Sequence, residues 1–299
     1  MIFRTSNAGK LPILNLSIPK FCQNKPVRFI QFLMQQNDIH AEAQRLHEAE
    51  KSRQQIAATT TRFPDMTVAD AYAIQKAWIA IKMSEGRTLA GYKIGLTSRT
   101  MQRNMQINEP DFGMLLDDMV FEEGTELRAA DFLDPKIEVE LAFVLKQELF
   151  GDKLTIMDVL NATDYVVPSV ELIAARTFRK HPETGYVRTV RDTISDNAAN
   201  AGVILGGRPV RPNDVDLRWL GALCFKNGVL EETGLAAGVL NHPASGIAWL
   251  AKKYYAHGIA LEPNKIILSG SFTNPIDAAA GDTFHIDFGK LGSFGFKFI

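Results

Sequence analysis

Cysteine is nearly absent. Cys22 and Cys224 are the only two in 299 residues, too few for a disulfide framework or a thiolate zinc site. Such usage suits a reducing compartment, and the cytoplasm is the expected location. No apolar run approaches the ~18 residues that a membrane span needs. Neither sign of charge dominates: 33 Lys and Arg stand against 34 Asp and Glu, a net of −1. A chain so balanced has no bulk field for nucleic acid or an anionic membrane. Several catalytic signatures are missing too. No P-loop and no G-x-G-x-x-G turn marks a nucleotide site. No H-E-x-x-H occurs, and the six histidines form no short metal-binding pair, which speaks against zinc. Gly270-Ser271 lies in "LSGSF" rather than in a G-x-S-x-G elbow, so a serine hydrolase is unsupported.

Residues 1–33 lack acid altogether, while carrying Arg4, Lys10, Lys20, Lys25 and Arg28. A targeting segment would need a continuous apolar core and a small-residue cleavage site, which are absent. A disordered basic arm and an upstream extension before a start at Met34 are the other readings. The extension is preferred, because a helical pattern begins just after Met34. The expected organisation is therefore an extension over 1–33 and one domain over 34–299, with a helical portion at 41–86 and a β-rich body at 87–299.

The run "AEAQRLHEAEKSRQQIAAT" is rich in helix formers. Its only large aliphatics are Leu46 and Ile56, so it predicts a mostly solvated helix. A second helix follows, with Thr67 as N-cap, Val68, Ala71, Tyr72, Ile74, Trp78 and Ile81 as apolar face, and Gly86 as stop. Beyond Gly86 the pattern changes to short, glycine-punctuated strands. Pro168 reads as an interruption of one of them, and "TFRKHPETGYVRTVR" as a basic loop. Asn227-Gly228 between apolar runs predicts a type I′ hairpin. The βαβ alternation of a doubly wound sheet is missing, and the fold class reads as α+β.

"DPKIEVELAFVL" holds the main oddity. Glu138 and Glu140 sit two apart in an apolar strand, so they share a face while Ile137, Val139 and Leu141 take the other. Two readings stay open: a half-exposed strand with two solvated glutamates, or two oxygen ligands for a hard cation such as Mg²⁺ or Mn²⁺. Glu171, in "PSVELIAAR", is a third acid in a similar apolar setting, weak evidence by itself. Lys93, in "GYKIGLT", could snorkel at a strand edge or act as a proton donor beside carboxylates. Asp111, like Asp117 and Asp118, lies where a turn alone would explain it.

The motifs "GYKIGLTS", "INEPDFGMLLDDM", "KIEVELAFVL", "DTISDNAANAGVILGG", "EETGLAAGVLNHPASGIAWLA" and "IILSGSFT" together resemble the 2-oxo-acid hydratase and decarboxylase branch of the fumarylacetoacetate hydrolase superfamily. The likeness spans roughly residues 41–299. It implies a mixed β-roll, a homo-oligomer, and a small 2-oxo acid as substrate, with no organic cofactor. It also implies a divalent metal, usually Mg²⁺, on Glu138, Glu140 and Glu171, proton handling by Lys93 and Asp111, and Ser271 near a substrate carboxylate. The implied reaction is addition of water at C4 of a 2-oxo-4-enoic dicarboxylate. A 2-oxo-3-enedioate decarboxylase, a hydratase of 2-oxopent-4-enoate and a catalytically silent partner subunit remain as alternatives. A second carboxylate on the substrate wants an arginine. Arg176, Arg179, Arg188 and Arg191 follow Glu171 closely and read either as a solvated basic loop or as that partner, with Arg176 and Arg179 the candidates.

Overall fold

The computed structural model describes residues 34–299, so the expected N-terminal extension lies outside the described residues. Two helices come first, α1 (Gln36–Ser52) and α2 (Val68–Ser84). Then come β1 (Leu89–Gly95), α3 (Arg99–Asn104), β2 (Asp111–Leu116), β3 (Val120–Glu122) and β4 (Glu126–Leu127). The middle holds β5 (Lys136–Leu145), α4 (Ile156–Ala162), β6 (Thr163–Ile173), α5 (Val190–Ser195) and β7 (Asn200–Leu205). The chain finishes with β8 (Gly221–Lys226), β9 (Val229–Leu235), α6 (Ala244–Tyr255), β10 (Ile266–Leu268), β11 (Ile276–Asp277), β12 (Thr283–Asp287) and β13 (Ser293–Phe298). The fold is α+β with mixed sheets. No helix among the described residues is long and apolar enough to cross a membrane.

One sheet runs β2-β1-β10-β5-β6-β7-β3, with β11 also pairing to β5; the other runs β4-β13-β12-β8-β9. Ile137, Val139, Leu141 and Phe143 of β5 join Phe284, Ile286, Phe294 and Phe296 of the second sheet, and Ile247 and Leu250 of α6, in the main core. Each such side chain, once fully buried, contributes roughly 1.5–3 kcal/mol. The opposite face of the large sheet meets α2, where Ile79 packs with Leu115, Ala142, Val167 and Leu268.

Three expectations need correction. The first helix is not mostly solvated: Ile39, Glu42, Ala43, Leu46, His47 and Ala49 are buried. Its alanines let α2 approach closely, and Ile39, Ala43 and Leu46 share a cluster with Ala71, Ile74 and Trp78. It also begins at Gln36 and stops at Ser52, because Arg53 turns left-handed at φ 56°. Pro168 does not break its strand. Val166 exchanges both backbone bonds with Val210, and Pro168 lies two residues along the same edge. There β7 has already ended, so no N–H is wanted, and the Pro168 carbonyl still accepts from Gly206 at 3.2 Å. The basic loop ends earlier than its composition suggests, since Thr189 and Asp192 form a capping box that starts α5. The hairpin at Asn227-Gly228 is present, with both residues at positive φ.

Candidate metal centre and active site

The pleat builds the site. With the odd residues of β5 in the core, Glu138 and Glu140 turn to the other face. Glu171 of β6 lies directly opposite Glu138, and Ser169 opposite Glu140. The next row is apolar, Val167–Ala142–Leu268, and Leu268 pairs with Lys93 of β1. Lys93 faces Gly113 of β2, and two residues along Gly95 faces Asp111. Glu138, Glu140, Glu171, Lys93 and Asp111 therefore project from one side of one sheet.

A break in that sheet makes room for them. β10 pairs with β5 only as far as Ala142, and β11 rejoins it at Ile137. Between them the chain leaves the ladder beside Glu138 and Glu140. Gly270, at φ +111°, donates its N–H to Glu140 Oε2 at 2.9 Å. A side chain there would strike Thr97 at 2.4 Å, so glycine is required on both counts. The result is a cavity of about 480 Å³ lined by Lys93, Asp111, Glu138 and Glu140, and also by Arg179, Arg188 and Ser271.

Glu138, Glu140 and Glu171 can each offer one oxygen so that all three lie within 4.8 Å of one another. Lys93 Nζ stands 3.3 Å from Glu171 Oε1. Burial raises the proton affinity of all three glutamates. Glu171 adds to it at Glu138, which is pushed up to about 7, and at Glu140, which rises well above the carboxylate range. Glu171 is raised by burial although Lys93 pulls it back, and Asp111 is raised by burial against Lys93 and Arg188. Burial works to deprotonate Lys93, but Glu171 and then Asp111 outweigh it and hold the ammonium charged.

Four carboxylates thus crowd one ammonium. Glu171 Oε1 meets only the Lys93 ammonium, and Glu171 Oε2 and Asp111 Oδ1 are buried without a hydrogen-bond partner. Orphaned buried oxygens are costly, and a hard divalent cation relieves them. The residues present fit such an ion: three carboxylates on facing strands, no soft ligand, and open cavity volume for water or substrate oxygens.

The expected substrate contacts divide. Ser271 reaches the cavity, with its hydroxyl donated to Thr273 O at 2.9 Å. Arg179 also lines it, beside Asp134. Arg176 does not. It is sealed in the protein, Nε 2.5 Å from Asp196 Oδ1 and its guanidinium 4.8 Å from the Trp78 ring. Sequence reasoning missed Gly95, Thr97, Gly270, Asp196 and the left-handed turn Asn197–Ala199. The polar run "SDNAAN" ahead of an apolar strand was the available signal for the last two.

No protein-family model matches the chain. It is 58% identical, over 86% of its length and 96% of the relative's, to the 2-oxo-hept-4-ene-1,7-dioate hydratase of Escherichia coli. The chain belongs to the family of 2-oxo-acid hydratases and decarboxylases, and it shares its fold with a putative fumarylacetoacetate hydrolase family protein from Yersinia pestis, at a TM-score of 0.53 and 14% identity over 70% of this chain and 92% of that one. Two further relatives are less similar to this chain than the Escherichia coli hydratase is. The 2-keto-4-pentenoate hydratase of Paraburkholderia xenovorans LB400 is 36% identical over 84% of this chain and 91% of its own. The 4-oxalocrotonate decarboxylase of Pseudomonas putida G7, solved with magnesium and adipate, superposes at a TM-score of 0.85 and 33% identity, over 90% of this chain and 100% of that one.

Proposed function

We propose that this chain is a metal-dependent hydratase that adds water to 2-oxohept-4-ene-1,7-dioate, giving 4-hydroxy-2-oxoheptanedioate. The observation that carries the reading is the convergence of Glu138, Glu140, Glu171, Lys93 and Asp111 on one cavity. The choice of substrate rests on the likeness to the Escherichia coli hydratase.

Glu138, Glu140 and Glu171 would hold the ion, with Mg²⁺ the preferred occupant. A bound Mg²⁺ supplies Lewis acidity to the 2-oxo acid head of the substrate. Asp111 Oδ1, free of hydrogen bonds, is our choice for the base that takes a proton from C3. Lys93 Nζ, kept charged by its carboxylate neighbours, is our choice for the donor that delivers one to C5. The double bond then lies between C3 and C4, conjugated with the 2-oxo group. Water adds at C4 and C3 regains a proton, so the sum is one water added across the original double bond. Ser271 would turn its hydroxyl from Thr273 into the cavity to meet a substrate carboxylate. We assign residues 34–299 to this one activity. The exposed apolar side chains Trp219, Val229, Leu230 and Leu235 on and beside β9 support a homo-oligomer.

The purified chain, incubated with 2-oxohept-4-ene-1,7-dioate, is expected to consume it only when Mg²⁺ is present. Proton NMR should show a hydroxyl-bearing C4. Release of CO₂ from a 2-oxo-3-enedioate without hydration would replace this reading with a decarboxylase, and no turnover of either compound would favour a silent partner subunit. Glu138→Gln is expected to lower kcat about 100-fold or more, in line with losing a metal ligand, with an unchanged circular dichroism spectrum. Undiminished Mg²⁺-dependent turnover would remove Glu138 from the site.

A further inference from the structure

The four arginines after Glu171 look alike in sequence but have different surroundings. Arg176 is 2% exposed. Nε and Nη2 bind the side chain and carbonyl of Asp196, and Nη1 and Nη2 share the Asn200 carbonyl at 3.1 Å. Arg191 Nη1 donates to the carbonyls of Pro64 and Met66, away from the cavity. Of the four, only Arg179 and Arg188 line the cavity that Glu138 and Glu140 also line.

Those two are under-supplied with acceptors. The Arg188 side chain is 9% exposed, and Nη1 alone is bonded, 3.3 Å from Asp196 Oδ2 and 3.4 Å from Thr177 Oγ1. Asp196 is already shared with Arg176, so one carboxylate serves two guanidinium groups. Arg179 Nη1 is paired with Asp134, while Arg179 Nη2 is buried without any partner. Burial pushes the Arg188 guanidinium down to about 10, against the pull of Asp196 and with help from the neighbouring positive charge of Arg179. Two cations that repel each other, both lining one cavity and each with donors left unbonded, form a receptor for an anion.

We infer that Arg188 and Arg179 together bind the far carboxylate of the substrate, and that Arg176 is a positioning residue that fixes Asp196 and, through it, Arg188 at the cavity wall. This rests on the dicarboxylate reading above and adds what selects the dicarboxylate. The 2-oxo acid head belongs at the glutamate triad. A chain that extends from the triad along the cavity brings its other end to the guanidinium pair. A ligand without that second charge leaves the buried donors unmet, and this kind of mismatch discriminates more strongly than a missing methylene.

The test is a binding measurement that needs no turnover. Calorimetry on the Mg²⁺-loaded protein compares 2-oxoheptanedioate with 2-oxoheptanoate, which share a head and a length and differ in the far carboxylate. Wild type is expected to bind the dicarboxylate at least about 30-fold tighter, in proportion to the loss of a charge-assisted pair. Arg188→Gln should cut that ratio to about threefold or less, Arg179→Gln should lower it in part, and Arg188→Lys should restore some of it. Arg176→Lys should lower the ratio with the 2-oxoheptanoate Kd little moved, which general loosening of the cavity would not produce. Arg179, the more exposed of the pair, carries the test if Arg188→Gln does not fold. A wild-type ratio near one, or an equal loss on both ligands in Arg188→Gln and Arg179→Gln, overturns the inference. Failure of the hydratase reading shows separately, as absence of turnover of the unsaturated dicarboxylate.

Discussion

A β-carbon built on Gly95 falls 2.3 Å from Asp111 Oδ1 and 2.8 Å from Lys93 Nζ. Both groups are confined by burial, so neither can retreat without moving its strand. Gly95→Ala is therefore expected to lower kcat at least about tenfold, since small displacements of positioned groups are costly to rate. Melting temperature should fall as well, because relieving the clash shifts β1 or β2. Kinetics and calorimetric melting check the two halves, and an unaltered kcat would show that Lys93 and Asp111 tolerate displacement. At this scale the residue types were legible. Acids two apart in an apolar strand stand out from the amino-acid sequence alone. Which arginine does what was not legible, because it depends on Asp196, twenty residues from Arg176 in sequence and at hydrogen-bond distance in space.

The elements with strict periodicity were the readable ones. The alternation of β5 assigned Ile137, Val139 and Leu141 to the core, and α2 begins after Thr67, the N-cap its sequence predicts, which Asp70 completes as a capping box. Elements whose form is imposed by distant partners were not. Asn197, Ala198 and Ala199 run at φ 52°, 51° and 61°, three successive left-handed residues without a glycine. Each such residue is disfavoured by roughly 1–2 kcal/mol, and local sequence offers no reason for it. The reason lies on β2. Asn197 accepts from Met114 N–H at 2.8 Å and donates to Met114 O at 2.9 Å, like an extra strand partner. The same strand carries Asp111. Asn197→Ala removes both bonds and is expected to cost about 1–3 kcal/mol in urea unfolding, with a fall in kcat as β2 loses its tie. A stability loss below about 0.5 kcal/mol, on the order of a neutral surface change, would mean the turn is held by other contacts.

Across the whole molecule the carboxylate cluster sets how stability varies with pH. Glu138 rises from 4.5 to about 7, and Glu140, Glu171 and Asp111 also rise. A raised carboxyl binds its proton more tightly folded than unfolded. Its contribution is complete below the unfolded value of 4.5 and is lost as pH climbs through the folded value. The lowered acids Asp277 and Asp282 act in the opposite sense only in the ordinary carboxylate range and below, and the lowered His242 opposes near its ordinary 6.5, one group against several raised carboxylates. The raised Lys93 acts only above 10.5. In EDTA the urea midpoint should therefore be lower at pH 7.5 than at pH 5.5. Excess Mg²⁺ should raise it more at pH 7.5, where the ligands bind without first shedding protons. A midpoint in EDTA that rises between these two values would contradict the electrostatics described here.

The pairing of Glu138 with Glu171 across β5 and β6 has a consequence for how the chain comes to be correctly folded. A slip of β5 by one residue would bury Glu138 and Glu140 among the phenylalanines of the second sheet and turn Ile137 and Val139 into the cavity. Such a misaligned chain would be poorly stable and would hold no ion, because the three oxygens would no longer meet. Cation binding at the proposed site would thus act as proofreading of strand alignment. Only molecules with the native register would gain its free energy, and stoichiometric Mg²⁺ uptake would count them.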